Sequence, residues 1–165
     1  DGTLVRSSDF TVALPSEPVT GEEYVLPDDV DVILPSLPLF RKNVVHLIRT
    51  VRGFGGTPVF LTQPLLIDRS PKWERVRARL FWLNKERFHL TGASYARLLD
   101  RFNEVLETVC AEYGVSCFDL AGEVPHSTDY YYDMIHYNDA GAELVGVKLA
   151  AYLHEHILSR TGSSP

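Results

Sequence analysis

Apolar and polar positions alternate along this chain in two repeated steps, each an amphipathic stretch that runs through glycine into a short apolar run. Phe40, Val44, Leu47, Ile48 and Val51 recur three to four positions apart, with Arg41, Lys42 and Arg49 among the remaining positions. That spacing predicts a helix whose apolar face meets a core. Gly53, Gly55 and Gly56 end it, and residues 57–62 read as a buried strand broken by Gln63-Pro64. The second step is longer. Thr91 is the expected cap of a helix whose stripe is Tyr95, Leu98, Leu99, Phe102, Val105, Leu106 and Val109. Gly114 stops it, and residues 115–120 form the second expected strand. Between the two steps, residues 71–88 hold Trp73, Val76, Leu80 and Leu83 among several arginines, which predicts a further helix.

The ends of the chain read differently. Residues 1–38 keep no period and are punctuated by Pro15, Pro18, Pro27, Pro35 and Pro38. They are expected to be an irregular excursion, with one short strand over 30–34 at most. After the second strand, residues 121–137 form a polar and aromatic loop. Asn138 then caps a last helix with Asp139 in its first turn, and Val145, Leu149, Leu153 and Ile157 continue its apolar face. Residues 161–165 should fray.

Helix, glycine turn and apolar strand, taken twice, is the αβ step of a parallel sheet. A complete doubly wound sheet has about five strands or more, and two or three leave helix faces uncovered. The expectation is therefore a single partial α/β domain over 1–165, with its helix-strand-helix-strand-helix body at 39–160.

Composition narrows the function classes. The 165 residues are 45% hydrophobic and 23% charged, ordinary for a folded domain. A formal charge of −6 argues against a nucleic-acid partner, which needs clustered Lys and Arg. The basic residues over 72–87 are diluted by Glu74 and Glu86 and read as a solvated helix face. No apolar run reaches membrane-spanning length. Cys110 and Cys117 fall in apolar patterns and read as two buried thiols, with a bridge as the alternative.

The chemistry gathers in the late loop, where His126, Asp129, Asp133 and His136 surround Tyr130-Tyr131-Tyr132. The loop leaves the carboxyl end of an expected strand and enters a helix N-terminus, where open α/β sheets build their sites. Asp133 and His136 stand three residues apart, so one turn can aim both side chains the same way. A carboxylate that holds one imidazole nitrogen leaves the other free to take a proton from a hydroxyl. Two other readings remain beside that one: a surface hydrogen bond, or a metal site built from the two His and two Asp.

The surrounding sequence favours the first reading. Asp133-Met-Ile-His136-Tyr-Asn-Asp-Ala-Gly141 resembles the last block of the SGNH/GDSL hydrolases, Asp-x-x-His with a glycine on the following helix. Gly56-Thr-Pro-Val-Phe-Leu-Thr-Gln-Pro64 is similar to that family's strand ending in a Thr-Gln-Pro turn. Tyr95 to Asn103, Gly114-Val115 and Phe118-Asp-Leu-Ala121 follow in the family's order. The resemblance covers roughly 39–153. It implies a three-layer α/β/α, flavodoxin-like fold and cofactor-independent hydrolysis of a small-molecule, carbohydrate or lipid ester. Asp133 and His136 would be the acid and base of the triad.

The departures matter as much. Neither a Gly-Asp-Ser triplet nor a Gly-x-Ser-x-Gly elbow occurs. Ser7, Ser8, Ser94 and Ser116 are poorly placed as nucleophiles. Asn43 and Asn103 lie on expected helices rather than in an oxyanion-hole block, and Asp1 could only be the last residue of a truncated one. The resemblance therefore implies that the serine lies upstream, that this chain is the C-terminal part of the enzyme, and that it is inactive alone. A non-catalytic binding module derived from the same fold is the competing reading.

Gln63 and Tyr132 are the candidate substrate-lining residues. Trp73, Phe81 and Trp82 suit packing or a cover over the cleft, and His154 and His156 suit the solvated end of the last helix.

Overall fold

The computed structural model describes residues 4–7, 10–13, 33–68, 77–83 and 86–159, with side-chain surroundings for 33–68 and 92–159. The first elements correct the expectation of an irregular N-terminal segment. β1 (Leu4–Ser7) and β2 (Phe10–Ala13) pair antiparallel, with Leu4 opposite Ala13. Val5, Phe10 and Val12 are good strand formers, and a two-residue connection suffices for a hairpin. The strand expected over 30–34 is not seen where it can be judged. Ile33 is helical and Leu34–Ser36 is a 3₁₀ turn, while 30–32 lie outside the described residues.

α1 (Leu37–Gly53) forms as its spacing predicts and buries Val44, Val45 and Ile48. Pro38 sits in its first turn, where a missing N–H costs nothing. Beyond its end Gly55 has φ 77°, a conformation that side chains resist, and Gly56 donates to the Val51 carbonyl at 2.9 Å. The chain reverses there into β3 (Val59–Leu61), which runs parallel to β6 (Ser116–Phe118) with Phe60 opposite Cys117 and Leu61 opposite Phe118.

The helix expected over 71–88 is corrected. β4 (Arg77–Leu83) and β5 (Glu86–Thr91) pair antiparallel, with a register irregularity between Leu80 and Trp82. The apolar spacing of Val76, Leu80 and Leu83 suits a helix, but Phe88 and Leu90 alternate with Arg87, His89 and Thr91, and the aromatics Phe81, Trp82 and Phe88 favour strands. Trp73 lies outside the described residues. Thr91 is the last residue of β5, and α2 (Gly92–Tyr113) begins directly after it. Gly114, at φ 58°, ends α2. Arg52 of α1 donates to the Tyr113 and Gly114 carbonyls at 2.9 and 3.2 Å, placing a cation at the negative end of that helix.

Adjacent strand residues point to opposite faces of the parallel pair, and each face has its own core. Phe60 and Cys117 pack with Val44, Val45 and Ile48 of α1 and Leu106, Val109 and Cys110 of α2. Leu61 and Phe118 pack with Leu66, Leu120, Val124 and Tyr131, and with Leu144 and Val145 of α4 (Asp139–Leu153). Phe118 also stacks on Tyr152 at 4.6 Å. Helices thus meet both faces of a two-stranded parallel sheet, a mixed α/β arrangement. Among the described residues, no helix is long and apolar enough to cross a membrane.

Past β6, Asp119 caps the short α3 (Leu120–Glu123) by accepting from the Gly122 N–H, and its other bond, from the Thr62 hydroxyl at 2.8 Å, joins the ends of the two parallel strands. Asn138 caps α4 as expected, its side chain accepting from the Gly141 N–H at 2.9 Å. A π-helical turn (His154–Leu158) continues α4.

Both cysteines are unbridged, Cys110 buried and Cys117 half-buried. Burial pushes both thiols up, Cys117 to about 12. At pH 8 about one Cys117 in ten thousand is then thiolate, so neither should be alkylated by iodoacetamide in the native protein while both react in urea, as mass spectrometry would show. A second expectation concerns Gly141. A Cβ there would overlap the Tyr130 carbonyl oxygen and stand 2.9 Å from its carbon. Because backbone cannot move aside as a side chain can, Gly141→Ala should lower the unfolding free energy by about 1–3 kcal/mol in urea melts.

Candidate active site

The segment from Tyr130 to Gly141 is held at three levels. At its base, Tyr131 and Tyr137 form an antiparallel bridge with rings 5.2 Å apart, and Tyr131 is 1% exposed. Asn138 serves both chain directions: its amide group donates to the Asp129 carbonyl at 2.9 Å, and its N–H to the Tyr130 carbonyl at 3.1 Å. In the middle, Met134 and Ile135, together with Tyr95 and Leu99, pack against Leu65, Ile67 and Ala96. The Leu66 N–H donates to the Met134 carbonyl at 3.0 Å, tying the loop to the segment that leaves β3. With its apolar residues turned inward, the arc presents Asp133 and His136 at its outer side.

Those two residues meet as their spacing predicts. Asp133 Oδ1 accepts from the backbone N–H groups of Ile135 at 2.8 Å and His136 at 2.7 Å, the local turn that aspartate favours. Its other oxygen lies 2.6 Å from His136 Nδ1. Burial pushes the Asp133 carboxyl up, but the two backbone donors and the imidazole outweigh it and hold it below the usual carboxylate range. Ionised, it can only accept, so Nδ1 donates to it, and in the neutral imidazole the lone pair is then on Nε2. The His136 side chain is 58% exposed, and among the described residues none bonds Nε2. Tyr95, in the first turns of α2, is raised by burial and then by the Asp133 charge, and stays neutral.

The remaining candidates fall elsewhere. Gln63 lines a cavity of about 460 Å³ with Thr62, Asn103, Asp119 and His126, but neither Asp133, His136 nor Tyr132 lines it. The Gln63 side chain donates to the Pro64 carbonyl at 3.0 Å, the turn-stabilising role. Tyr132 stacks on the His136 ring, with centroids 5.6 Å apart and 7° between planes. Its ring is engaged with the His136 ring, which the sequence pattern did not suggest.

The alternative metal site is not assembled. His126 Nδ1 meets the Leu65 carbonyl at 2.7 Å, and Asp129 accepts from the Ser127 hydroxyl at 2.9 Å. Among the described residues no three His, Cys, Asp or Glu gather closely enough to hold an ion. Asn103 has a structural role, donating to the Gln63 carbonyl and accepting from its N–H. Ser94 is buried at 1% and accepts from Arg97 at 2.6 Å. Ser7 and Ser116 lie in strands, and Ser8 is outside the described residues. Phe81 and Trp82 belong to β4, not to a helix, and His154 and His156 lie in the turn that ends α4.

Comparison with protein-family models, with curated proteins and with solved structures finds no match to this chain.

The depressed Asp133 carboxyl fixes the sign of a pH effect. Its stabilisation of the loop is fully present above the unfolded aspartate value of about 4 and is lost as pH falls through the lower folded value. An NMR titration should place the Asp133 midpoint below that of a free aspartate. In Asp133→Asn the acid-side loss of loop structure should disappear. A midpoint at or above about 4 contradicts the geometry.

Proposed function

We propose that this chain supplies the base and its orienting acid to a serine ester or acyl hydrolase of the SGNH/GDSL type. The observation that carries the reading is the 2.6 Å contact between Asp133 and His136 Nδ1, on a His136 side chain that is 58% exposed. It is supported by where the loop begins, after β6, and by helices on both faces of the parallel pair, as a three-layer α/β/α, flavodoxin-like fold requires. Gly141 adds to it. The glycine of the resembling block stands where a side chain would strike the loop backbone.

In this reading the hydroxyl belongs to an upstream serine, since this sequence carries no Gly-Asp-Ser triplet, and among the described residues no serine hydrogen-bonds His136. Nε2 takes the hydroxyl proton as the oxygen attacks the ester carbonyl. Asp133 stabilises the imidazolium that forms, and the same nitrogen then gives its proton to the leaving alcohol. Water repeats the cycle on the acyl-enzyme. No metal or organic cofactor takes part. The substrate class is an ester or acyl group on a small molecule, carbohydrate or lipid.

The test uses the full-length protein that contains this sequence. A fluorophosphonate probe should label one serine, and His136→Ala should reduce both labelling and p-nitrophenyl ester cleavage by about 10³–10⁴-fold with an unchanged melting temperature. Asp133→Ala should cost less, because water can partly replace an orienting group. Absence of any labelled serine favours the binding-module reading, and full activity in His136→Ala rejects the triad.

A further inference from the structure

We propose that Tyr132 is a positioning residue for His136, holding the imidazole plane by ring stacking rather than contacting substrate. The inference rests on His136 being the base. The Asp133 contact fixes one ring nitrogen, but a single bond at Nδ1 leaves the ring free to rock about that point. His136 is also more than half exposed, so little packing restrains it. A base must hold its nitrogen within hydrogen-bond reach of the hydroxyl it deprotonates, and a misplacement of about 1 Å can cost 10²-fold in rate.

Tyr132 provides the missing restraint from within the same arc. Its ring is near parallel to the imidazole at 7°, with centroids 5.6 Å apart, inside the range of offset stacking. Its backbone N–H donates to the His136 carbonyl at 3.1 Å, so the two residues are fixed to each other through main chain and ring together. On either side, Tyr131 bridges Tyr137 and anchors the arc in the core. The imidazole is therefore held at its edge by the carboxylate and on its face by the phenol ring. The electron-rich face also suits the imidazolium that forms when a proton arrives. One face of Tyr132 is occupied by this contact.

The test compares Tyr132→Phe, Tyr132→Leu and Tyr132→Met in the full-length protein. On a p-nitrophenyl ester, Tyr132→Leu should lower kcat about tenfold with KM little changed, and Tyr132→Phe should stay within about twofold of the parent. A rise in KM at constant kcat in the leucine variant assigns Tyr132 to substrate and overturns the proposal. So does a loss in Tyr132→Phe as large as in Tyr132→Leu. A second readout needs no activity. In NMR spectra the His136 ring protons should lie upfield from the Tyr132 ring current, and Tyr132→Leu should release that shift while Tyr132→Phe keeps it. Unmoved ring protons overturn the stack even in an active enzyme. Released ring protons in a protein that cleaves no ester support the positioning and count against hydrolysis alone. Should the leucine variant melt early, the methionine variant carries the same comparison.

Discussion

The Asp133 carboxylate organises the candidate site, because it accepts three donors from a stretch of only four residues. Two are main-chain N–H groups and one is the imidazole. A carboxylate so engaged is held charged, and a charged acceptor permits only one tautomer of its partner. Turn geometry, charge state and proton placement therefore follow from one side chain. None of them needs a distant residue.

Distant residues decide instead where that turn sits. The inward packing of Met134 and Ile135 against Leu65, Ile67 and Ala96 sets its depth, and the Leu66–Met134 backbone bond ties it to the strand exit. Asn138 and the close approach of Gly141 to Tyr130 fix its other end. The two parallel strands enter through Thr62 and Asp119, which link their carboxyl ends. The loop is thus positioned by the core beneath it, although the His136 side chain is exposed.

The parts legible in the sequence were those governed by local periodicity. α1, α2, α4 and both parallel strands follow from apolar spacing, and the Asp133–His136 pair follows from a three-residue separation that one turn closes. The hairpin of β4 and β5 departs from the helix expected there because Val76, Leu80 and Leu83 satisfy a helical spacing while Phe88 and Leu90 satisfy alternation. Nothing local arbitrates between the two. The β1–β2 hairpin was hidden by the prolines that follow it. The stacking of Tyr132 on His136 was illegible for another reason: spacing places two rings near each other but does not say which faces meet. Gly141 was visible as a motif position, yet its reason, the Tyr130 carbonyl beside it, exists only in three dimensions.

The clasp of Asn103 on Gln63 has a consequence for association. Strand ends expose donors and acceptors that can recruit a foreign chain by ladder extension. Here a helix-borne amide satisfies both main-chain groups of the first residue but one beyond β3, at 2.9 and 3.0 Å. The side chain imitates a neighbouring strand for the length of one residue. Polymerisation through that point is thereby discouraged, by a group that spends no catalytic function to do so.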